Sequence, residues 1–348
     1  MNNFKKVELV RTISAIGSAL LLAFIIILFV SNEPFESIRL LVAGPLQSTR
    51  HMGNVIEAAI PLVFSGVATS ILFQTKLFNL GAEGIYYFGG FLAAIIGVVF
   101  TMPTGIHSAV AIFASCIFGA IVMSIIGILK AKLKISELVM SLMFNNILFG
   151  VGLYLLNHYF RRIDTVVLST EDFAKTASLG VIVSGTRIHV GVIIAILVVI
   201  LSHVFLYHTR CGYEIRMVGN NATFAKYSGI NITKAIMVAS ILAGGIAGIG
   251  GSVEILGMYN SFRWSSLPGI GFDGALIAIL AKNEPKKVIF SALFLAYIRV
   301  GADMMARLTD VPSEMIGIMQ GLIILLISGR KFMQFYKNRM LMKEADVK

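Results

Sequence analysis

Seven ionisable side chains sit inside or at the ends of long apolar segments: Glu57, Glu83, Glu254, Asp273, Arg299, Asp303 and Glu314. A charge in hydrocarbon is costly, so each must face a cavity, a partner or a helix end. Glu83 and Asp273 lie in two similar runs, Gly81-Ala82-Glu83-Gly84 and Gly271-Phe272-Asp273-Gly274, and each run opens a new apolar segment. The unpaired N–H groups where a helix begins bind polar ligand atoms. Asn145-Asn146 is an amide pair in an otherwise apolar stretch. It suits hydrogen bonds to sugar hydroxyls or base edges in a pathway, and equally the joining of two helices. Glu314 follows Pro312-Ser313 and Glu137 follows Ser136, so both support helix N-termini through the macrodipole. Glu57 and Glu254 read as reaching water from span ends. Asp303 can pair with Arg299 one turn back.

Other chemistries lack their residues. There is no Gly-x-x-x-x-Gly-Lys-Ser/Thr phosphate loop and no His-Glu-x-x-His helix, so neither ATP hydrolysis nor zinc proteolysis is expected of this chain. The six histidines are scattered. Gly269-Ile270-Gly271-Phe272-Asp273 misses the spacing of an intramembrane aspartyl protease by one residue. Cys116 lies in an apolar segment and Cys211 in a basic loop, which supports neither a disulfide framework nor a metal site. No cofactor is implied.

The elements that position these residues are apolar helices. The 348 residues are 57% hydrophobic and 14% charged, against about 25% charged in soluble domains. About 20 apolar residues cross a bilayer as a helix. Ten such segments are predicted, near 12–32, 53–73, 84–102, 106–129, 138–157, 188–206, 235–257, 269–281, 288–303 and 312–328. The first exceeds a signal-peptide core, and no small-x-small cleavage site follows it, so it reads as a retained span. The fold class is an all-α membrane protein, one transmembrane domain over 1–348 with a cytoplasmic basic tail at 329–348.

The net charge of +11 needs no nucleic acid to explain it. With the N-terminus cytoplasmic, 20 Lys and Arg fall in inside segments, 8 in outside segments, and Arg299 within a span, making the 29 of the chain. This is the positive-inside bias, and ten spans put both termini in the cytoplasm. The two Gly-x-acid-Gly runs follow spans that cross in opposite directions. Spans 2–5 and 7–10 therefore read as two inverted repeats with broken or re-entrant helices. In the longest inside loop, 207–234, residues 222–228 have the length of two amphipathic turns. They suit either docking a soluble partner or lying on the lipid surface.

Four segments carry a resemblance. Leu77-Phe78-Asn79-Leu80-Gly81-Ala82-Glu83-Gly84 resembles the Leu-Phe-Asn-Ile-Gly-Ala-Glu-Gly-Gln hallmark of ABC-importer permeases for nucleosides and simple sugars, in the ribose and branched-chain amino-acid permease superfamily. Ile135-Ser136-Glu137-Leu138-Val139-Met140-Ser141-Leu142-Met143-Phe144-Asn145-Asn146 resembles that family's Asn-Glu-Val-Ile-x-Thr-Leu-Met-Leu-Asn-Tyr. Arg216-Met217-Val218-Gly219-Asn220-Asn221 with Tyr227-Ser228-Gly229-Ile230 is similar to its cytoplasmic loop. Gly269 to Gly274 with Lys282-Asn283-Glu284-Pro285 is similar to its Gly-x-Gly-Phe-x-Gly … Gly-x-Asn-x-Pro segment. Ile85 stands where the family has Gln, and Ala222 where it has Pro.

The resemblance implies a non-enzymatic permease subunit in the inner (plasma) membrane of a bacterium. It implies a cytoplasmic ATP-binding-cassette ATPase, a second permease subunit (identical or related), and an extracytoplasmic solute-binding protein or lipoprotein as partners. Asn79, Glu83, Asn145, Asn146, Phe272 and Asp273 become the expected substrate pathway. Arg216, Gly219, Asn221, Tyr227 and Gly229 become the expected ATPase coupling loop. An ion-coupled secondary transporter using Glu83 and Asp273 is the alternative of a different class.

Overall fold

A computed structural model describes residues 21, 24–133, 135–312, 317, 318 and 321. Most of the predicted spans 12–32 and 312–328, Glu314 and the tail 329–348 lie outside the described residues. The described residues form two compact units, one within 53–296 and the other within 1–52 and 297–348.

The described helices are α1 (Pro34–Ala43), α2 (Thr49–Gln74), α3 (Ala82–Val99), α4 (Ile106–Leu133), α5 (Glu137–Leu155), α6 (Gly191–His208), α7 (Arg210–Asn220), α8 (Ala222–Tyr227), α9 (Ile232–Met258), α10 (Ile270–Leu280) and α11 (Pro285–Leu308). Residues 24–30 are also helical. A π-helical turn, Leu156–Phe160, extends α5. Seven of these helices are long and apolar enough to cross a membrane: α2, α3, α4, α5 with its π turn, α6, α9 and α11. They coincide with the second to seventh predicted spans and the ninth. α10, which occupies the segment 269–281, has 11 residues. Such a helix rises about 16 Å, roughly half the hydrocarbon thickness, so this segment is a partial span. The chain is an all-α membrane protein.

In the 53–296 unit, α9 is the hub, and glycine makes it so. Gly119 of α4 and Gly244 of α9 meet backbone to backbone, and a Cβ on either would overlap the other's main chain. Gly248 lies likewise against the Ser115 main chain, and Gly127 against the Ser240 side chain. These pairings run in opposite directions along the two helices, so α4 and α9 are antiparallel. On the other flank Gly251 of α9 lies against the Tyr86 carbonyl of α3. Ser115 Oγ donates to the Gly89 carbonyl at 2.8 Å, tying α4 to α3. Lipid supplies no hydrophobic drive between helices, so such close backbone approach is what holds them.

The bundle ends sort by charge. One end gathers 97–107, 158–189 and 256–263. Ala174 N–H donates to Gly97 (2.9 Å), Phe173 N–H to Asn260 (3.0 Å), and Leu179 N–H to Leu256 (2.8 Å). His107 Nδ1 lies 2.9 Å from Thr176 Oγ1. Arg162 grips Asp164 with Nε and Nη2 at 2.6 and 3.0 Å, and Asp172 with Nη1 at 3.0 Å. That guanidinium holds the exposed Asp164 carboxyl below its usual range. The other end gathers 74–78, 130–133, 135–137, 209–231 and 281–287. Gln74 Nε2 donates to the Asn283 carbonyl at 2.7 Å, and Lys76 Nζ to the Asn220 carbonyl at 3.2 Å. Glu137 pairs with Lys130 and accepts from the Phe78 N–H. This second, basic end carries Lys76, Lys130, Lys132, Arg210, Arg216, Lys226, Lys282, Lys286 and Lys287.

The other unit is built around Ile27, Leu40, Leu41, Ala302, Met305 and Val311. Asp310 accepts from Ser31 Oγ (2.5 Å), Asn32 N (2.8 Å) and Asn32 Nδ2 (2.7 Å). Tyr297 donates its hydroxyl to the Val42 carbonyl. Asp303 accepts from Arg307 Nε at 2.9 Å, one turn on.

The glycine seam gives a stability prediction. Gly244→Val forces α9 off α4 and lowers stability by about 1–3 kcal/mol or more. Gly150→Ala, where an added Cβ meets nothing within 4 Å, leaves stability unchanged or slightly raised. Thermal unfolding of the purified variants in detergent checks both.

Candidate functional site

After α2 the chain turns at Lys76, whose φ is +56°, and runs non-helically to Gly81 before α3 begins. Backbone without a helix partner at membrane depth must find hydrogen bonds elsewhere in the protein. Asn79 Oδ1 accepts from Gly81 N–H at 2.7 Å. Ser141 Oγ accepts from Leu80 N–H at 3.2 Å. Asn145 does two jobs: its Nδ2 donates to the Leu80 carbonyl at 3.0 Å, and its Oδ1 accepts from Gly84 N–H at 2.9 Å. A Cβ at Gly84 would strike the Asn145 backbone, so only glycine lets α3 start this close to α5. Asn79 and Asn145, both expected in the substrate pathway, are 2% exposed and are engaged by the broken segment itself.

Glu83 is fully buried. Its Oε1 accepts from Gly269 N–H at 2.6 Å and its Oε2 from Gly271 N–H at 2.5 Å. The first N–H groups of a helix have no partner within it, and the helix end is electropositive. One carboxylate answers both needs for α10. Gly269 adopts φ +78°, a left-handed conformation that suits glycine. A Cβ on Gly271 would overlap the Glu83 backbone. The two Gly-x-acid-Gly runs, separated by almost 190 residues, therefore touch. The N–H groups expected to receive solute atoms at α10 are occupied by Glu83.

The remaining pathway candidates differ in setting. Phe272 is 39% exposed, and Asp273 is half-buried in the first turn of α10. Asn146 is exposed and donates to the Leu142 carbonyl of its own helix at 3.0 Å. Glu57 and Glu254 correct the sequence reading: neither reaches water, at 5% and 6% exposure. Packing closes over both span ends, and Glu254 Oε2 accepts from the Tyr86 hydroxyl at 2.5 Å. Glu57 Oε1 has no hydrogen-bond partner among the described residues.

Sequence reasoning missed an aromatic cluster beside the α3–α10 junction. Trp264 stacks on Tyr86 with centroids 6.0 Å apart and an interplanar angle of 24°. Phe262 and Tyr259 flank the indole at 5.4 and 6.4 Å. Trp264 is half-buried, so it combines a fixed position with an accessible face. Its signal was its rarity: one tryptophan in 348 residues, in a Ser- and Pro-bearing break between spans.

At the basic end the expected coupling residues form a helical hairpin. Arg216 Nε donates to the Leu206 carbonyl at 3.0 Å, and its guanidinium lies 4.7 Å above the Tyr207 ring. Gly219 lies against the Gln74 carbonyl, where a Cβ would overlap it. Asn221 Oδ1 caps α8 by accepting from Phe224 N–H at 3.0 Å. Gly229 turns the chain with φ +80°. Phe224 and Tyr227 are 55% and 86% exposed. Among the described residues no group of three His, Cys, Asp or Glu could hold a metal ion.

Broken helices stitched together inside an apolar bundle, with a capped hairpin at one end, define a membrane permease. Residues 51–328 match the family described as branched-chain amino acid transport system / permease component, and the chain belongs to that family. It is similar to the guanosine ABC transporter permease protein NupP of Bacillus subtilis, 29% identical across 85% of this chain and 86% of the relative. It is also similar to the glucose ABC transporter permease protein TsgB13 of Haloferax volcanii, 27% identical across 92% of this chain and 87% of the relative. The nucleoside ABC transporter permease protein NupB of Lactococcus lactis is 27% identical across 94% of this chain and 92% of the relative.

The junction makes a ranked prediction. Glu83→Ala strips α10 of its acceptor and costs about 2–3 kcal/mol, more than Glu83→Gln, which keeps one acceptor oxygen. Asn145→Ala costs about 1–3 kcal/mol. Asn146→Ala, at an exposed site, stays within about 0.5 kcal/mol. Thermal unfolding in detergent should give this order.

Proposed function

We propose that this chain is the membrane-spanning subunit of an ATP-binding-cassette importer that carries nucleosides into a bacterial cytoplasm. The basic end faces the cytoplasm, as the positive-inside bias supports, and both termini lie on that side. A second permease subunit, a cytoplasmic ATPase and an extracytoplasmic solute-binding protein complete the importer. ATP is hydrolysed in the ATPase. Nucleosides stand ahead of simple sugars because the guanosine and nucleoside permeases lie among the similar proteins, and because Trp264 offers an aromatic face to a base.

The observation that carries this reading is the α7–α8 hairpin. It presents Phe224 and Tyr227 to solvent, yet Arg216 and Gly219 fix it to α6 and to the end of α2, and Asn221 caps α8 within it. Exposed aromatics on a rigid support suit a protein partner. In the pathway, Phe272, Asp273 and Trp264 meet the solute, while Asn79, Glu83 and Asn145 hold the backbone that shapes it.

Uptake of labelled uridine, adenosine and ribose by a deletion strain carrying the gene tests the assignment. Uridine and adenosine uptake, both lost on Tyr227→Arg or Gly219→Arg with the chain still present in the membrane, is the expected result. Uptake by the purified chain alone in liposomes, driven by an ion gradient without ATP, would instead establish the ion-coupled alternative.

A further inference from the structure

A cavity of about 540 Å³ lies between α6, α4 and α9 in the 53–296 unit. Its walls are Val198, Leu201 and Phe205 of α6, Cys116 of α4, and Ile241 and Ile249 of α9, and Ile71 of α2 also lines it. Thr209, at the foot of α6, also lines it. From Val198 to Thr209 is a rise of about 16 Å, the depth of one leaflet of the hydrocarbon core. The cavity therefore runs from mid-membrane to the basic end.

Its surroundings say what fits. Leu197, Ile200, Leu201 and Val204 continue the apolar surface outward on α6, all more than 40% exposed. Where the cavity reaches the basic end, Arg210 follows Thr209 directly. Arg210 is 93% exposed and makes only a loose 3.7 Å pair with Glu214. An apolar slot one leaflet deep with a cation at its interfacial end matches a phospholipid: a chain for the slot and a phosphate for the cation. We propose that this cavity holds an acyl chain of an anionic phospholipid of the basic-end leaflet. The lipid fills the gap between α6 and the α4–α9 seam. Because α6 carries the α7–α8 hairpin, the bound lipid helps to set where that hairpin stands.

Cys116 is a built-in reporter. With Cys211→Ser it becomes the one thiol of the full-length chain. The chain, purified in detergent, is reacted with N-phenylmaleimide with and without added phosphatidylglycerol or chain-matched phosphatidylcholine. Phosphatidylglycerol should slow Cys116 labelling more than phosphatidylcholine does, and lipid extraction should return about one bound phosphatidylglycerol per chain. Arg210→Gln should shrink the preference about fivefold, the worth of one interfacial cation. Ala120→Phe should fill the slot and make labelling slow whatever lipid is present. Should that variant misfold, the surface substitution at Arg210 still decides. Labelling that ignores phosphatidylglycerol, or equal protection by both lipids and by detergent alone, would overturn the proposal. So would protection that grows with protein concentration, which would give the slot to a second copy of the chain.

Discussion

Hydrocarbon offers no hydrogen bonds, so a backbone that leaves the helix inside a membrane must be answered by the protein itself. The Glu83 carboxylate on the N–H groups of Gly269 and Gly271 is that answer at its most concentrated. It allows α10 to begin within the bundle, and it brings together two chain segments that each interrupt a run of crossings. Asn145 and Ser141 serve the same end for the segment entering α3. The break is thus a defined joint with a partner for each of these polar groups.

The joint depends in turn on how closely the helices approach. The Gly119–Gly244 and Ser115–Gly248 contacts bring α4 and α9 to backbone distance, and α9 holds α3 on its other side. Gly84 and Gly271 extend the same rule to the joint, where no side chain fits. Small residues and polar stitches work together here: close approach makes the hydrogen bonds reachable, and the bonds make the unwound segments tolerable. The two Gly-x-acid-Gly runs meet at this joint.

Much of this was legible from residues alone. Apolar length located the seven long helices but overread 269–281 as a full crossing, and the glycine-flanked acids located the breaks. Residues 222–228 read as two turns, and Ala222–Tyr227 is a helix. What local pattern does not encode is direction. Asn145 reads the same whether it meets a solute or the Gly84 amide 61 residues away. Glu57 and Glu254 look like span ends near water because their burial comes from elements distant in sequence. The Trp264 cluster draws on α3, the α5 neighbourhood and the 259–264 segment, so no window of sequence contains it. Periodicity reports which face is apolar; it does not report which polar group another helix will claim.

The contact between Gly219 and the Gln74 carbonyl places the hairpin directly on the last turn of α2. Nine residues further along the chain is Glu83. On the proposed function, a push delivered at this hairpin meets a short linkage whose far end is the joint between α3 and α10. There is little slack in which to lose the stroke: the segment between is pinned by Asn79, Ser141 and Asn145. On that reading, a displacement of the hairpin reaches α3 and α10 where they meet.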